Sequence, residues 1–180
     1  MMNKLPNNTA LIIIDVQKFF NEPRWGNRNN PQAEENISSL LEQWRATNRP
    51  IFHIQHVEGT YKPAHDFKDL VKPLPEEPVI RKVVNSSFIG TNLECSLRER
   101  QIETVVIVGL TTNHCVETTT RMSGNLGFNT YLVTDATATF DRKGPDGTIY
   151  SADTIHNMTM VNLNEEFATI VTTEQVLLNL

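Results

Sequence analysis

The sequence predicts an α/β protein: a single domain over residues 1–180, folded as a three-layer α/β/α sandwich on an open, mainly parallel sheet of six strands. Two observations carry this expectation. Apolar runs such as ALIII and TVVIV are continuous and rich in β-branched residues, as in strands covered on both faces, where half-exposed strands would alternate. Between them lie segments with apolar residues at helical spacing, and strands alternating with helices imply parallel pairing through right-handed crossovers.

The elements follow in order. ALIIID forms the first strand and ends at Asp15. A polar loop with Pro23, Gly26 and Pro31 leads to PQAEENISSLLEQWRATN, where Ile37, Leu40, Leu41 and Trp44 share a helix face and Glu34 and Glu35 complement the dipole at its start. Pro50 introduces a second strand, IFHIQHV, and the stretch from Glu58 to Pro78, with prolines at 63, 73, 75 and 78, reads as a long loop of the kind that serves as a lid or binding segment. A third strand, PVIRKVV, precedes a helix opened by a Thr91–Glu94 capping box and continued by Leu93 and Leu97. TVVIVG is a further strand, HCVETTTRMSGNLG a helix closed by Gly127, and NTYLVTDA another strand. ADTIHNMTMVNLNEEF places Ile155, Met158 and Val161 at three-residue steps, ATIVT is the last strand, and Thr172 with Gln175 caps a terminal helix.

Composition narrows the partners. With 180 residues, 39% hydrophobic and 21% charged, the chain suffices for one core, and no repeat, low-complexity tract or linker divides it. A formal charge of −5 argues against binding nucleic acid, which relies on clustered Lys and Arg. No apolar run is long enough to span a bilayer, and MMNKLPNNTA lacks the layout of a secretory signal, so a cytoplasmic location, no membrane partner and a small-molecule ligand are expected. The two cysteines, Cys95 and Cys115, are then expected to be reduced thiols.

In open parallel sheets, ligands bind beyond the carboxyl ends of the strands, where strand order reverses. Three reactive side chains fall at such ends: Asp15, Lys82 and, after TVVIVG, Cys115. Cys115 is expected at the start of a helix, where backbone N–H groups lower a thiol pKa and, with the LTTN turn, offer donors to an oxyanion. It could equally be a small packed side chain. Asp15, half desolvated at the sheet edge, could accept the thiol proton or simply cap a helix at VQKFF. Lys82, among Val79, Ile80, Val83 and Val84, either points outward on an edge strand or serves as counterion to Asp15.

LIIIDVQ around Asp15, RKVVNSSFIGT containing Lys82, GLTTNHCV ending beside Cys115, and DAT at Asp135 occur together in this order. In this the chain resembles, over nearly its whole length, the isochorismatase-like cysteine hydrolases, which include nicotinamidases and related small amidases. The resemblance implies Asp15 as base, Lys82 as the orienting cation and Cys115 as the nucleophile on a carbonyl. It also implies a cis peptide at Leu110–Thr111, an oxyanion hole formed by the amides of Thr111 and Cys115, and a homo-oligomer, dimer or tetramer.

One branch is not matched. Nicotinamidases bind a divalent metal through an Asp-x-His pair and a further histidine; no Asp-x-His occurs here, and His53 and His56 fall on opposite faces of a strand. The expectation is therefore no metal and no cofactor. Members that cleave a vinyl ether need no thiol, so Cys115 favours thioester chemistry. No G-x-G-x-x-G or P-loop motif supports nucleotide binding, and the competing reading is a noncatalytic binding or scaffold protein that keeps the pocket. Candidate pocket residues are Phe19, Phe20, Trp25, His56, Phe88, Asn113 and His114, although aromatics at such spacing more often belong to the core; Asp135 is either a helix cap or a loop support.

Overall fold

A computed structural model describes residues 3–180. Six strands form one sheet in the order β3-β2-β1-β4-β5-β8, with every neighbouring pair parallel. They are β1 (Ala10–Ile14), β2 (Ile51–His56), β3 (Val79–Lys82), β4 (Thr104–Leu110), β5 (Asn129–Ala138) and β8 (Thr169–Val171). The helices are α1 (Ala33–Ala46), α2 (Leu93–Glu99), α3 (Glu117–Asn125), α4 (Ala152–Leu163) and α5 (Thr173–Leu177). The central strands read as unbroken apolar runs because both faces are covered: β1 and β4 are buried at every position. On one face Phe52, Ile54 and Ile107 pack with Leu93, Leu97, Val116 and Leu163. On the other, Leu11, Ile13 and Val106 pack with Ile37, Leu41, Trp44 and Val176.

The chain builds the sheet outward from β1 to β3, then returns to the far side of β1 and builds outward again through β4, β5 and β8. The reversal lies between β1 and β4, which diverge just beyond the pair Ile14 and Gly109. At that point the two backbones approach so closely that a Cβ on Gly109, whose φ is +127°, would stand 2.1 Å from the Ile14 carbonyl oxygen. The chain leaves β1 through Asp15 at φ +51°, a left-handed conformation that aspartate tolerates better than most residues.

Four local expectations are corrected. The Thr91–Glu94 capping box does not form: Asn92 is the N-cap without a side-chain bond, while Thr91 Oγ1 donates to the Ser87 carbonyl at 2.5 Å and Glu94 pairs with Arg98 at 3.6 Å. The strand PVIRKVV stops at Lys82, leaving Val83 and Val84 exposed. On α4 the Met158 and Val161 stripe faces solvent; the buried face carries Ala152, His156, Thr159, Met160 and Leu163, so polar residues with partners replaced the apolar ones as the packing signal. A short hairpin, β6 (Arg142–Lys143) with β7 (Ile149–Tyr150), lies between β5 and α4 where no element was foreseen. The Thr172–Gln175 box at α5 does form, with amide-to-side-chain distances of 3.2 and 2.9 Å. Among the described residues, no helix is long and apolar enough to cross a membrane.

Two carboxylates pin the loops that cross the carboxyl edge and its flank. Glu34, at the start of α1, accepts from Arg28 at 2.8 Å and from Lys68 at 2.6 Å, joining the loop after β1 to the one after β2. Glu77 accepts from Arg45 at 2.7 Å and His53 at 2.8 Å, anchoring the end of the proline-rich segment on α1 and β2. Burial alone would raise both carboxyls, but these hydrogen bonds outweigh it and hold each at about 2.

Two outcomes follow. Gly109→Ala is expected to lose at least about 3 kcal/mol or fail to fold, since backbone must move to admit the methyl group; a urea midpoint measures it. Because the Glu34 and Glu77 pKa values lie below their unfolded values, their stabilisation is present above about pH 4.5 and is lost as pH falls toward 2, by up to about 3 kcal/mol each. Urea midpoints taken from pH 5 to 2.5 should fall steeply for the native chain and less steeply for Glu34→Gln.

Candidate active site

Three strand ends meet at the reversal point. Asp15 follows β1, Lys82 ends β3, and His56 ends β2 between them, in register with Lys82. Lys82 does not face solvent from its edge strand: its side chain is 0% exposed, and Nζ donates to Asp15 Oδ2 at 2.7 Å and to His56 Nδ1 at 3.2 Å. A carboxylate oxygen of Asp15, a ring nitrogen of His56 and the Cys115 sulfur lie within 4.8 Å of one another. Asp15 Oδ1 is buried and, among the described residues, has no hydrogen-bond partner. The Cys115 thiol makes a long contact to Asn85 Oδ1 at 3.9 Å.

Cys115 is carried by a single π turn, Thr112–Val116, wedged between β4 and α3. The turn begins after a cis peptide at Leu110–Thr111. It is tied by His114 and Val116 amides donating to the Thr111 carbonyl, bonds that do not use the amides of Thr111 and Cys115. Side chains brace it from behind. His156 on α4, itself buried, bridges Thr112 Oγ1 at 3.0 Å and Thr134 Oγ1 at 2.9 Å, and Thr159 donates to Glu117 at 2.8 Å. Asn113 Oδ1 accepts from Thr139 Oγ1 at 2.5 Å.

The electrostatics differ from the expectation of a thiol acidified by a helix start. Burial, and then the facing Asp15 carboxylate, push Cys115 up to about 12, with Lys82 opposing both. Burial also raises Asp15 above the ordinary carboxylate range, against the pull of Lys82. In the free protein the proton therefore rests on sulfur, beside a carboxylate whose affinity for it is enhanced. Asp15, His56 and Cys115 are potential metal donors by type, yet the Lys82 ammonium is bonded to two of the three and opposes a divalent cation there.

Above these groups lies a cavity of about 460 Å³, lined among others by Phe19, Phe20, Trp25, His56, Asn85 and His114. One wall is aromatic: Phe20 and Trp25 approach at 5.2 Å between ring centroids, and Phe140 backs Trp25 at 5.5 Å. Two anticipated pocket residues do not line it. Phe88 is in the core, stacked on Phe128 at 5.9 Å, because the chain turns inward after Asn85; Asn113 is committed to Thr139. Asp135 is a support, its Oδ1 accepting from the amide and hydroxyl of Thr173 at the start of α5.

Sequence reasoning missed Asn85, Gln17 and Phe140. Asn85 sits three residues beyond Lys82 in a segment already singled out. Gln17 is buried and clasps β2 and the following loop, donating to the carbonyls of His56 and His65 at 3.0 and 2.7 Å. Nothing local in the sequence marks Phe140, which comes to the wall from the end of β5.

Comparison with known proteins agrees with this geometry. The family model described as the isochorismatase domain matches residues 9–175. An uncharacterized isochorismatase family protein of Bacillus subtilis, YrdC, is 54% identical over 93% of this chain and 94% of its own. Nicotinamidase 3 of Arabidopsis thaliana is 32% identical over 92% of this chain and 86% of its own. A crystal structure from Chromobacterium violaceum, described as of a hydrolase of the isochorismatase family, superposes with a TM-score of 0.95 at 40% identity, covering 99% and 98% of the two chains. The six-stranded parallel sheet, the reactive cluster at its reversal point and these likenesses lead to one assignment: the chain belongs to the isochorismatase family of hydrolases.

Proposed function

We propose that the protein hydrolyses a small-molecule amide or related C–N bond through an acyl-thioester on Cys115, with Asp15 carrying the proton and Lys82 holding the carboxylate in place. The observation that carries this reading is the Asp15 carboxylate, one of whose oxygens is buried and has no hydrogen-bond partner among the described residues, beside a thiol at the floor of a cavity. A relative named as a nicotinamidase supports an amide as substrate.

The chemistry follows from the proton's resting place. As sulfur attacks the carbonyl carbon, its proton passes to Asp15, so no free thiolate accumulates beforehand. The amides of Thr111 and Cys115 receive the resulting oxyanion. Collapse breaks the C–N bond, and the protonated Asp15 gives its proton to the departing amine. A water molecule then loses a proton to Asp15 and attacks the thioester; the acid leaves and sulfur recovers its proton. Lys82, at 2.7 Å from Asp15, compensates whichever neighbour is anionic. No step needs a metal ion.

A second reading has its own support. A carboxyl with a raised pKa is also suited to protonating a vinyl ether, which would not involve sulfur. Cys115→Ala separates the two. With a panel of small carboxamides and release of ammonia as the signal, the variant should show turnover reduced at least about a thousandfold. Normal turnover by the variant would refute the thioester scheme.

Reactivity of the free thiol gives a further check. Iodoacetamide labelling of Cys115 should be slow at pH 7 and still rising above pH 9, because the thiol is held near 12. Asp15→Asn removes a charge that raises the thiol pKa, so labelling at pH 8 should accelerate while hydrolysis is lost. Slower labelling in that variant would mean that Asp15 does not oppose the thiolate.

A further inference from the structure

His56 takes no part in the scheme above, yet its ring touches the Lys82 ammonium that the scheme relies on. Its Nδ1 lies 3.2 Å from Lys82 Nζ, and an ammonium offers only donors, so this nitrogen must be the acceptor. The same Lys82 is held at 2.7 Å by Asp15, which keeps the ammonium aimed. The backbone of His56 is held as well, its amide donating to Gln17 Oε1 at 2.9 Å and its carbonyl accepting from Gln17 Nε2 at 3.0 Å. The side chain lines the cavity, and Nε2 has no hydrogen-bond partner among the described residues and is not one of the buried unpaired atoms.

Burial and the Lys82 ammonium keep the imidazole below its ordinary pKa, with His65 adding to them and Asp15 and Glu58 pulling the other way. A neutral imidazole has one N–H, and with Nδ1 accepting, the hydrogen sits on Nε2.

We propose that Lys82 locks His56 as its Nε2–H tautomer, so that His56 is a specificity-determining residue that presents a fixed hydrogen-bond donor to the cavity. The ligand class it selects carries an acceptor close to the reacting carbon: a carbonyl, carboxylate oxygen or ring nitrogen. Only the link to turnover rests on the amide-hydrolysis reading; the tautomer and the donor do not. Lys82 thereby has two outputs, the charge that balances Asp15 and the hydrogen position on His56.

The test needs no substrate. In ¹⁵N-histidine-labelled wild-type protein at pH 7, with His56 assigned by comparison with His56→Gln, two-bond ¹H–¹⁵N spectra should show an acceptor-type Nδ1 and a protonated Nε2. The opposite tautomer, a mixture or an imidazolium overturns the proposal. Donation into the cavity is read from alkylation of Cys115 in a Cys95→Ser background, comparing iodoacetamide, which has a carbonyl acceptor, with allyl iodide, which has none. The ratio of the two rates cancels any change in thiolate fraction. It should fall about tenfold in His56→Leu and stay within about threefold of the parent in His56→Gln, whose amide can accept from Lys82 and donate to the cavity. An unchanged ratio in His56→Leu, or an equal fall in both variants, also overturns it. A protein that passes both tests but releases no ammonia from any carboxamide would refute the amide reading alone.

Discussion

The ion pair between Asp15 and Lys82 is the constraint around which the carboxyl end of the sheet is arranged. Both side chains are out of water, at 1% and 0% exposure, and removing two such charges from solvent costs several kcal/mol per ion. A contact of 2.7 Å offsets that cost only if both members stay in place. They come from β1 and β3, which are not neighbours, so the pair spans β2 and fixes three strand ends relative to one another. Its incompleteness is as informative as its strength. One carboxylate oxygen has no partner among the described residues in a buried setting, an arrangement that favours taking up a proton.

The sheet supplies the opening that this pair needs. Divergence of β1 and β4 beyond Gly109 leaves room for the π turn that carries Cys115, and the turn is braced on the opposite side by α4 through His156 and Thr159. The aromatic wall comes from loops after β1 and β5, and the loop after β1 is held by largely buried ion pairs of Glu34 with Arg28 and Lys68. Rigid strands set the reactive groups while pinned loops shape the cavity, a division that lets one scaffold serve different ligands.

Much of this was legible in the sequence because strand ends are marked chemically. Continuous apolar runs marked β1 and β4, and alternation with helical segments marked the other four strands, although PVIRKVV overran β3 by two residues; the carboxyl ends of β1, β3 and β4 pointed to Asp15, Lys82 and the turn around Cys115. What could not be read is what depends on distant partners. The Met158 and Val161 stripe has helical spacing, but α4 buries His156 and Thr159 instead, since Thr112, Thr134 and Glu117 satisfy them. Thr91 and Glu94 match a capping pattern, yet Thr91 Oγ1 accepts from the Leu93 amide at 3.3 Å while donating to Ser87, and Glu94 pairs with Arg98, so the reciprocal box is not made. Phe88 was indistinguishable from a pocket residue until Phe128 was seen across from it. The sign of the Cys115 shift was likewise missed, because position at a helix start says nothing of a buried carboxylate arriving from another strand.

The two tryptophans of the chain occupy opposite kinds of place. Trp44 is enclosed in the core, its indole N–H bonded to the Thr9 carbonyl at 3.0 Å, whereas Trp25 is half-buried on the cavity wall among Phe19, Phe20 and Phe140. Intrinsic emission thus has two origins with separate meanings. The interior fluorophore changes when the whole molecule unfolds, and the rim fluorophore when something enters the cavity, which gives the native polypeptide a label-free optical signal for occupancy.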